Sequence, residues 1–204
     1  MVMCMKIIAH RANDGINKEN SEEAILNSLS KEYIDGIEID IRKTKDKQFV
    51  ISHGPFHNGN HIKHTKLNKL KLPSLNNVLN KIVSDKIIMI EIKNEDKNYK
   101  ETSYKLHKII KKYNLNYDLC SFDYNLINYL KNKYPKYKCG LIIGLKINED
   151  KLNNNLDFNS VNTKYMFRNF NKETFIWTVN SKKEFEKINK RYNVITDKGY
   201  KLIK

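Results

Sequence analysis

Three acids and two histidines in this chain stand where they could act together. In Ile37-Glu38-Ile39-Asp40-Ile41 the side chains of an extended strand alternate, so the isoleucines face one side and Glu38 and Asp40 the other. Glu91 and Lys93, in KIIMIEIK at residues 86–93, repeat that spacing on a second apolar strand. Carboxylates on strands built from isoleucine are costly to bury alone, and a bound cation removes the cost. An all-oxygen set of Glu38, Asp40 and Glu91 suits one hard divalent ion, Mg2+ or Ca2+, rather than zinc. His10, followed by Arg11, ends the first apolar strand. His53 follows a return strand at residues 48–52, and pairing about the KTKDK turn sets it near Asp40. Imidazoles titrate near neutrality, so one ring can accept a proton while the other donates one. A divalent ion beside Arg11 and Lys93 suits a phosphoryl oxygen, whose charge grows in the transition state.

The elements that must hold these residues alternate along the chain. Residues 6–10 read as a strand, 21–32 as a capped helix, 34–42 as a strand with its hairpin return, and 73–83 as a helix. Strand 86–93, helix 99–113, strand 118–121, helix 124–134 and strand 138–143 follow. A short helix at 149–155, a strand at 160–162, the FIWTV strand at 175–179, a helix at 182–192 and a last strand at 194–196 complete the series. With the hairpin return set aside, eight strands alternate mostly with helices, which predicts an α/β fold of the closed (β/α)8 barrel type. The barrel is expected to be compact and irregular between Asn162 and Phe175, where the connection is short for a helix, with a hairpin excursion after its second strand. In such a barrel the chemistry collects where strands end, which would bring together His10 and Arg11, Glu38 and Asp40, Glu91 and Lys93, Ser121 and Asp123, and Trp177.

A chain of 204 residues suits one domain, residues 1–204, and no repeat or low-complexity linker marks a second. The formal net charge of +15 is spread along the chain in lysine. Diffuse charge argues against a nucleic-acid partner, although it would attract anionic membranes or phosphorylated substrates. Lys63, Lys66, Lys69 and Lys71 are the residues such a peripheral membrane contact would use, and a solvated face is their ordinary role. The three cysteines, Cys4, Cys120 and Cys139, have no paired spacing and suggest neither a disulfide framework nor a zinc knuckle. The first five residues are too short for a signal peptide's apolar core and no apolar run has membrane-spanning length, so a cytoplasmic protein is expected. His57, His61 and His64 have metal-like spacing but lack an acidic or cysteine companion, so they read as a rim loop.

Taken in order, His10-Arg11, Glu19-Asn20-Ser21, Glu38-x-Asp40, Thr44-Lys45-Asp46, His53, Leu72-Pro73-Ser74-Leu75, Glu91-x-Lys93, Ser121-Phe122 and Trp177-Thr178-Val179-Asn180 resemble the pattern of the glycerophosphodiester phosphodiesterases. The resemblance runs from Lys6 to about Asp197. It implies a barrel enzyme that cleaves glycerophosphodiesters to glycerol 3-phosphate and an alcohol. By the same resemblance Glu38, Asp40 and Glu91 are the metal ligands and His10 and His53 the acid and base pair. Arg11 and Lys93 would then be phosphate contacts, and Trp177 a wall against the glycerol. Similar barrel phospholipases imply an alternative attack by the substrate's own neighbouring hydroxyl, giving a cyclic phosphate. The chain departs from the pattern at Ala12, where a glycine is usual, and at Gly54, where the usual aspartate would orient a partner. His53-Gly54 is also similar to the sphingomyelinase D relatives, which keeps a phospholipase D-like action on lysophospholipids or sphingolipids open, beside a catalytically weak binding protein. The loop at 55–72 is short, which implies no large inserted lobe.

Overall fold

The computed structural model describes residues 5–95, 97–144, 155–188 and 191–202. Its strands are β1 (Ile7–Ala9), β2 (Gly36–Lys43), β3 (Phe49–Ile51), the two-residue β4 (Phe56–His57) and β5 (Asn60–His61), β6 (Ile87–Lys93), β7 (Asn116–Ser121), β8 (Lys138–Ile143), β9 (Phe158–Asn162), β10 (Glu173–Trp177) and β11 (Asn193–Thr196). The sheet runs β1-β11-β10-β9-β8-β7-β6-β2, and parallel pairing of β1 with β2 closes it into the expected (β/α)8 barrel. β3 lies antiparallel on the end of β2, from Lys43↔Phe49 to Ile41↔Ile51, which is the hairpin excursion.

Alternation sorts the strand residues between two apolar layers. Ile8, Ile87, Met89, Cys120, Ile142, Phe158, Phe175 and Ile195 fill the barrel, while Ile37, Ile39, Ile88, Ile90 and Leu119 face the helices. Gly140 makes this filling possible, because a Cβ there would come within 2.2 Å of the Phe158 ring. The helices are α1 (Glu22–Leu29), the single-turn α2 (Leu67–Leu70), α3 (Leu75–Leu79), α4 (Tyr99–Ile110), α5 (Tyr124–Lys133), α6 (Lys182–Ile188) and α7 (Gly199–Leu202). Caps start several of them: Ser21 accepts from Ala24 N, Ser74 from Asn77 N, and Asp123 from both Asn125 N and Leu126 N. Their buried faces, such as Leu126, Ile127 and Leu130 of α5, cover the outer side of the strands.

Several expectations shift at the edges. The helix expected at 21–32 stops at Leu29 and that at 73–83 stops at Leu79, because periodic apolar residues continue beyond the hydrogen-bonded turns. The tenth strand starts at Glu173 and ends at Trp177, before the Thr178 and Val179 that its apolar run suggested. The helix expected at 149–155 falls almost wholly outside the described residues. The stretch read as a rim loop is ordered by a small core of its own, in which fully buried Ile62 packs with Val50 and Leu70.

At the opposite end of the barrel from the strand C-termini, Lys6 and Lys138 both pair with Glu173, Lys6 at 2.8 Å. Asp118 faces Lys138 at 3.7 Å and is 1% exposed. Burial, only partly offset by Lys138, pushes its carboxyl up to about 6. No helix among the described residues is long and apolar enough to cross a membrane.

Candidate active site

The register of β2 on β6 sets Asp40 directly opposite Glu91 and Arg42 opposite Lys93. Because side chains two apart share a face, Glu38, Asp40, Glu91 and Lys93 converge at the strand C-termini. One ligand oxygen from each of Glu38, Asp40 and Glu91 lies within 4.8 Å of the others. They are 5%, 2% and 9% exposed. Lys93 Nζ is 2.5 Å from Glu91 and 3.0 Å from Asp40. Burial raises the Glu38 carboxyl well above its ordinary range, and the charges of Asp40 and Glu91 add to the rise. Burial also raises Glu91, to about 7, with Lys93 opposing. Burial would raise Asp40 too, but Lys93 and Asn20 outweigh it and hold that carboxyl low. Three buried carboxyls share one bridging lysine, burial resists the ionisation of two of them while no cation is bound, and the donors are all oxygen. The set therefore fits a hard divalent cation.

The loop after β1 supplies the next layer. Arg11 adopts a left-handed conformation (φ 51°), and its backbone N–H donates to Glu38 Oε2 at 2.9 Å. Ala12 is left-handed as well (φ 52°), which is the reason a glycine suits this position. The Arg11 guanidinium is held by Glu19 at 2.9 Å and lies 3.8 Å from Asp40. Asn20 grips Asp40 reciprocally: its Nδ2 donates to Oδ2 at 3.0 Å and its Oδ1 accepts from Asp40 N at 3.2 Å. Glu19-Asn20-Ser21 thus divides into an arginine clamp, a carboxylate clamp and a helix cap.

The two histidines lie on either side of the acids and line one cavity of about 240 Å³ together with Arg11, Glu38, Glu91 and Lys93. His10 Nδ1 meets Asp197 Oδ1 at 2.7 Å, and Asn180 holds Asp197 in turn, donating Nδ2 to Oδ2 at 2.7 Å and accepting from Asp197 N at 2.9 Å. This pairing leaves His10 Nε2 as the nitrogen without that partner. His53 follows the strand end where Ser52 N donates to the Asp40 carbonyl at 2.9 Å, so the hairpin does set it beside Asp40. Its imidazole is pushed below its ordinary range by burial, with Asp40 opposing and Arg11, Lys93 and Arg42 adding to the fall. Arg42 donates to the His53 carbonyl from Nε at 3.0 Å and from Nη2 at 2.6 Å.

Trp177 and Phe122 form the apolar wall of the cavity, edge to face with centroids 6.1 Å apart. Phe122 is 53% exposed at the mouth. Ser121 and Asp123 do not belong to the site: Ser121 Oγ donates to the Ile92 carbonyl at 2.7 Å, and Asp123 caps α5. His57, His61 and His64 form no metal-holding group among the described residues. His61 packs instead between Phe56 and His64. The sequence gives no role to Asp197 or Arg42, and names Asn180 only as the end of the Trp177-Thr178-Val179-Asn180 motif. Asp197, just past the last strand and 187 residues from His10, carries no local signal for its partner. In the sequence Arg42 reads only as the end of a strand.

No protein-family model matches this chain, and no curated protein matches it. Solved structures do. A glycerophosphodiester phosphodiesterase from Thermotoga maritima is 24% identical, with 98% of each chain covered and a TM-score of 0.80. An Oleispira antarctica phosphodiesterase, in complex with the product sn-glycerol-3-phosphate, is 17% identical, with 98% of this chain and 96% of that one covered and a TM-score of 0.87. A glycerophosphodiester phosphodiesterase from Parabacteroides distasonis is 19% identical, with 98% and 95% covered and a TM-score of 0.85. At these identities the similarity establishes the shared barrel.

Proposed function

We propose that this chain hydrolyses glycerophosphodiesters to glycerol 3-phosphate and an alcohol, using one divalent cation, Mg2+ or Ca2+, and two histidines. The observation that carries the reading is that His10, His53, Glu38 and Glu91 line one cavity, with Asp40 grouped against the two glutamates, in a barrel shared with phosphodiesterases. Glu38, Asp40 and Glu91 would hold the cation, which when bound would supply positive charge to the phosphoryl oxygens. Arg11 and Lys93 bind the same group and oppose the charge it gains.

His10 acts as base. Its Nδ1 is engaged by Asp197, which fixes the ring, so Nε2 takes the proton of the attacking oxygen. The new bond joins that oxygen to phosphorus, while the bond from phosphorus to the alcohol oxygen breaks. His53 delivers a proton to the departing alcohol. The attacking oxygen is water or the substrate's neighbouring hydroxyl, and a cyclic phosphate product identifies the second route. Trp177 and Phe122 exclude water from the glycerol side of the cavity. The half-exposed Phe122 favours a second reading, cleavage of lysophospholipids, whose acyl chain would cover it.

The test is release of glycerol 3-phosphate from glycerophosphocholine with chelator, Mg2+ and Ca2+ in parallel. Activity that chelator removes and one ion restores is the expected result. No release from this substrate or from lysophosphatidylcholine, with diester binding retained, replaces the enzyme by a binding protein.

A further inference from the structure

We infer that Arg42 is the positioning residue of His53, doing through the main chain what an acidic neighbour at residue 54 would do through the ring. The inference rests on the assignment of His53 to the reaction. Three observations support it. First, the ladder stops short of His53: β3 ends at Ile51, the last ladder-like bond is Ser52 N to the Asp40 carbonyl at 2.9 Å, and beyond it Ser52 Oγ donates to the Gly54 carbonyl at 3.0 Å. Second, Gly54 has no side chain to contribute. Its neighbourhood has room for one, since a Cβ there meets nothing closer than Phe56 O at 3.8 Å, so the missing partner is not a steric necessity. Third, Arg42 directs two donors of its fork at one acceptor, with Nε 3.0 Å and Nη2 2.6 Å from the His53 carbonyl.

The fork is itself anchored. Its remaining nitrogen, Nη1, pairs with Glu95, which lies just beyond β6. Arg42 stands opposite Lys93 in the ladder and two residues beyond Asp40 on the same face, so it rises from the floor that carries the acids. A planar guanidinium held at one end and aimed at a carbonyl with the other fixes both distance and direction, which a lysine ammonium cannot do. A histidine displaced by about 1 Å loses on the order of 100-fold in rate. Arg42 does not itself line the cavity, and the lining residue its hydrogen bonds reach is His53.

The experiment compares wild type with Arg42→Gln, Arg42→Lys and Arg42→Ala. With glycerophosphocholine and saturating metal, Arg42→Gln is expected to lower kcat about 10- to 100-fold while KM changes less than about twofold. Arg42→Lys should restore little of the loss, and added guanidinium should raise kcat of Arg42→Ala but not of wild type. Unchanged kcat in Arg42→Gln overturns the inference, as does a loss in Arg42→Ala that guanidinium leaves untouched. The NMR signals of the His53 ring and main chain, read on the same proteins, do not depend on turnover. They should shift in Arg42→Gln while those of His10 stay fixed, and unmoved His53 signals overturn the inference even if wild type cleaves no diester. Absence of cleavage by wild type with shifted His53 signals refutes the proposed reaction and leaves the positioning contact supported.

Discussion

Asp118→Asn should stabilise this protein near neutral pH and do almost nothing in acid. Asp118 sits at the barrel floor with 1% exposure, 3.7 Å from Lys138, and its Oδ2 has no hydrogen-bond partner. Its carboxyl stands at about 6 in the fold against an ordinary value of 3.8. Between those values the folded protein binds more protons at this site than the unfolded chain, so stability falls as pH rises through the window. A rise of roughly 2 units corresponds to about 3 kcal/mol that the charged carboxylate withholds at pH 7 and the neutral acid does not withhold at pH 4. An asparagine resembles the neutral acid and carries no titration. For a chain of this length, about 3 kcal/mol amounts to a Tm increase on the order of 6–12 °C at pH 7. Urea unfolding of both proteins at pH 4 and pH 7 reads the difference directly, and titration of the distant Glu38 and Glu91 cluster is common to both and cancels. An Asp118→Asn effect of the same size at the two pH values, or a destabilisation at pH 7, refutes the reasoning that burial dominates over Lys138.

Asp197→Asn keeps the shape of the His10 contact but removes its charge, so kcat should fall by about 100- to 10,000-fold with KM little changed, as steady-state kinetics would read. Equal activity would separate Asp197 from the chemistry. Glu91 must lose a proton to hold a cation, and without one its carboxyl stands at about 7, so metal affinity measured by calorimetry should weaken as pH falls below about 7 and release protons to the buffer. An affinity flat from pH 8 to pH 5.5 would remove Glu91 from the ligand set. Asp14, 7% exposed, accepts from Ile16 N, Asn17 N and the amides of Asn17 and Asn27; burial alone would raise its carboxyl, but these bonds hold it at about 2. Its contribution of roughly 2 kcal/mol is present above pH 4 and lost as pH falls towards 2. Urea unfolding of Asp14→Asn should therefore show that cost at pH 7 and little at pH 2.5.

Much of this barrel is legible in the chain itself, because strand and helix periods are local properties. Ile37, Ile39 and Ile41 declare one face of β2 and Glu38 and Asp40 the other, whatever the strand packs against. Glu91 and Lys93 do the same for β6, and the order of elements limits the fold to a closed barrel with these residues at one mouth. Position at a strand end was a weaker guide, since Ser121 and Asp123 share it yet serve the backbone of β6 and the start of α5.

What the chain alone determines is therefore which residue types lie on which face and in what order. The tertiary structure decides register and partnership. Asp40 faces Glu91 because β2 and β6 pair at Gly36↔Ile87, and no local pattern states that offset. Closure of β11 on β1 brings Asp197 to His10 across nearly the whole chain, and Asn180 to Asp197. The fork of Arg42 reaches the His53 carbonyl from the end of β2, eleven residues earlier in the chain. Each depends on contacts between segments far apart in sequence, which periodicity cannot encode and only the closed barrel brings within hydrogen-bonding distance.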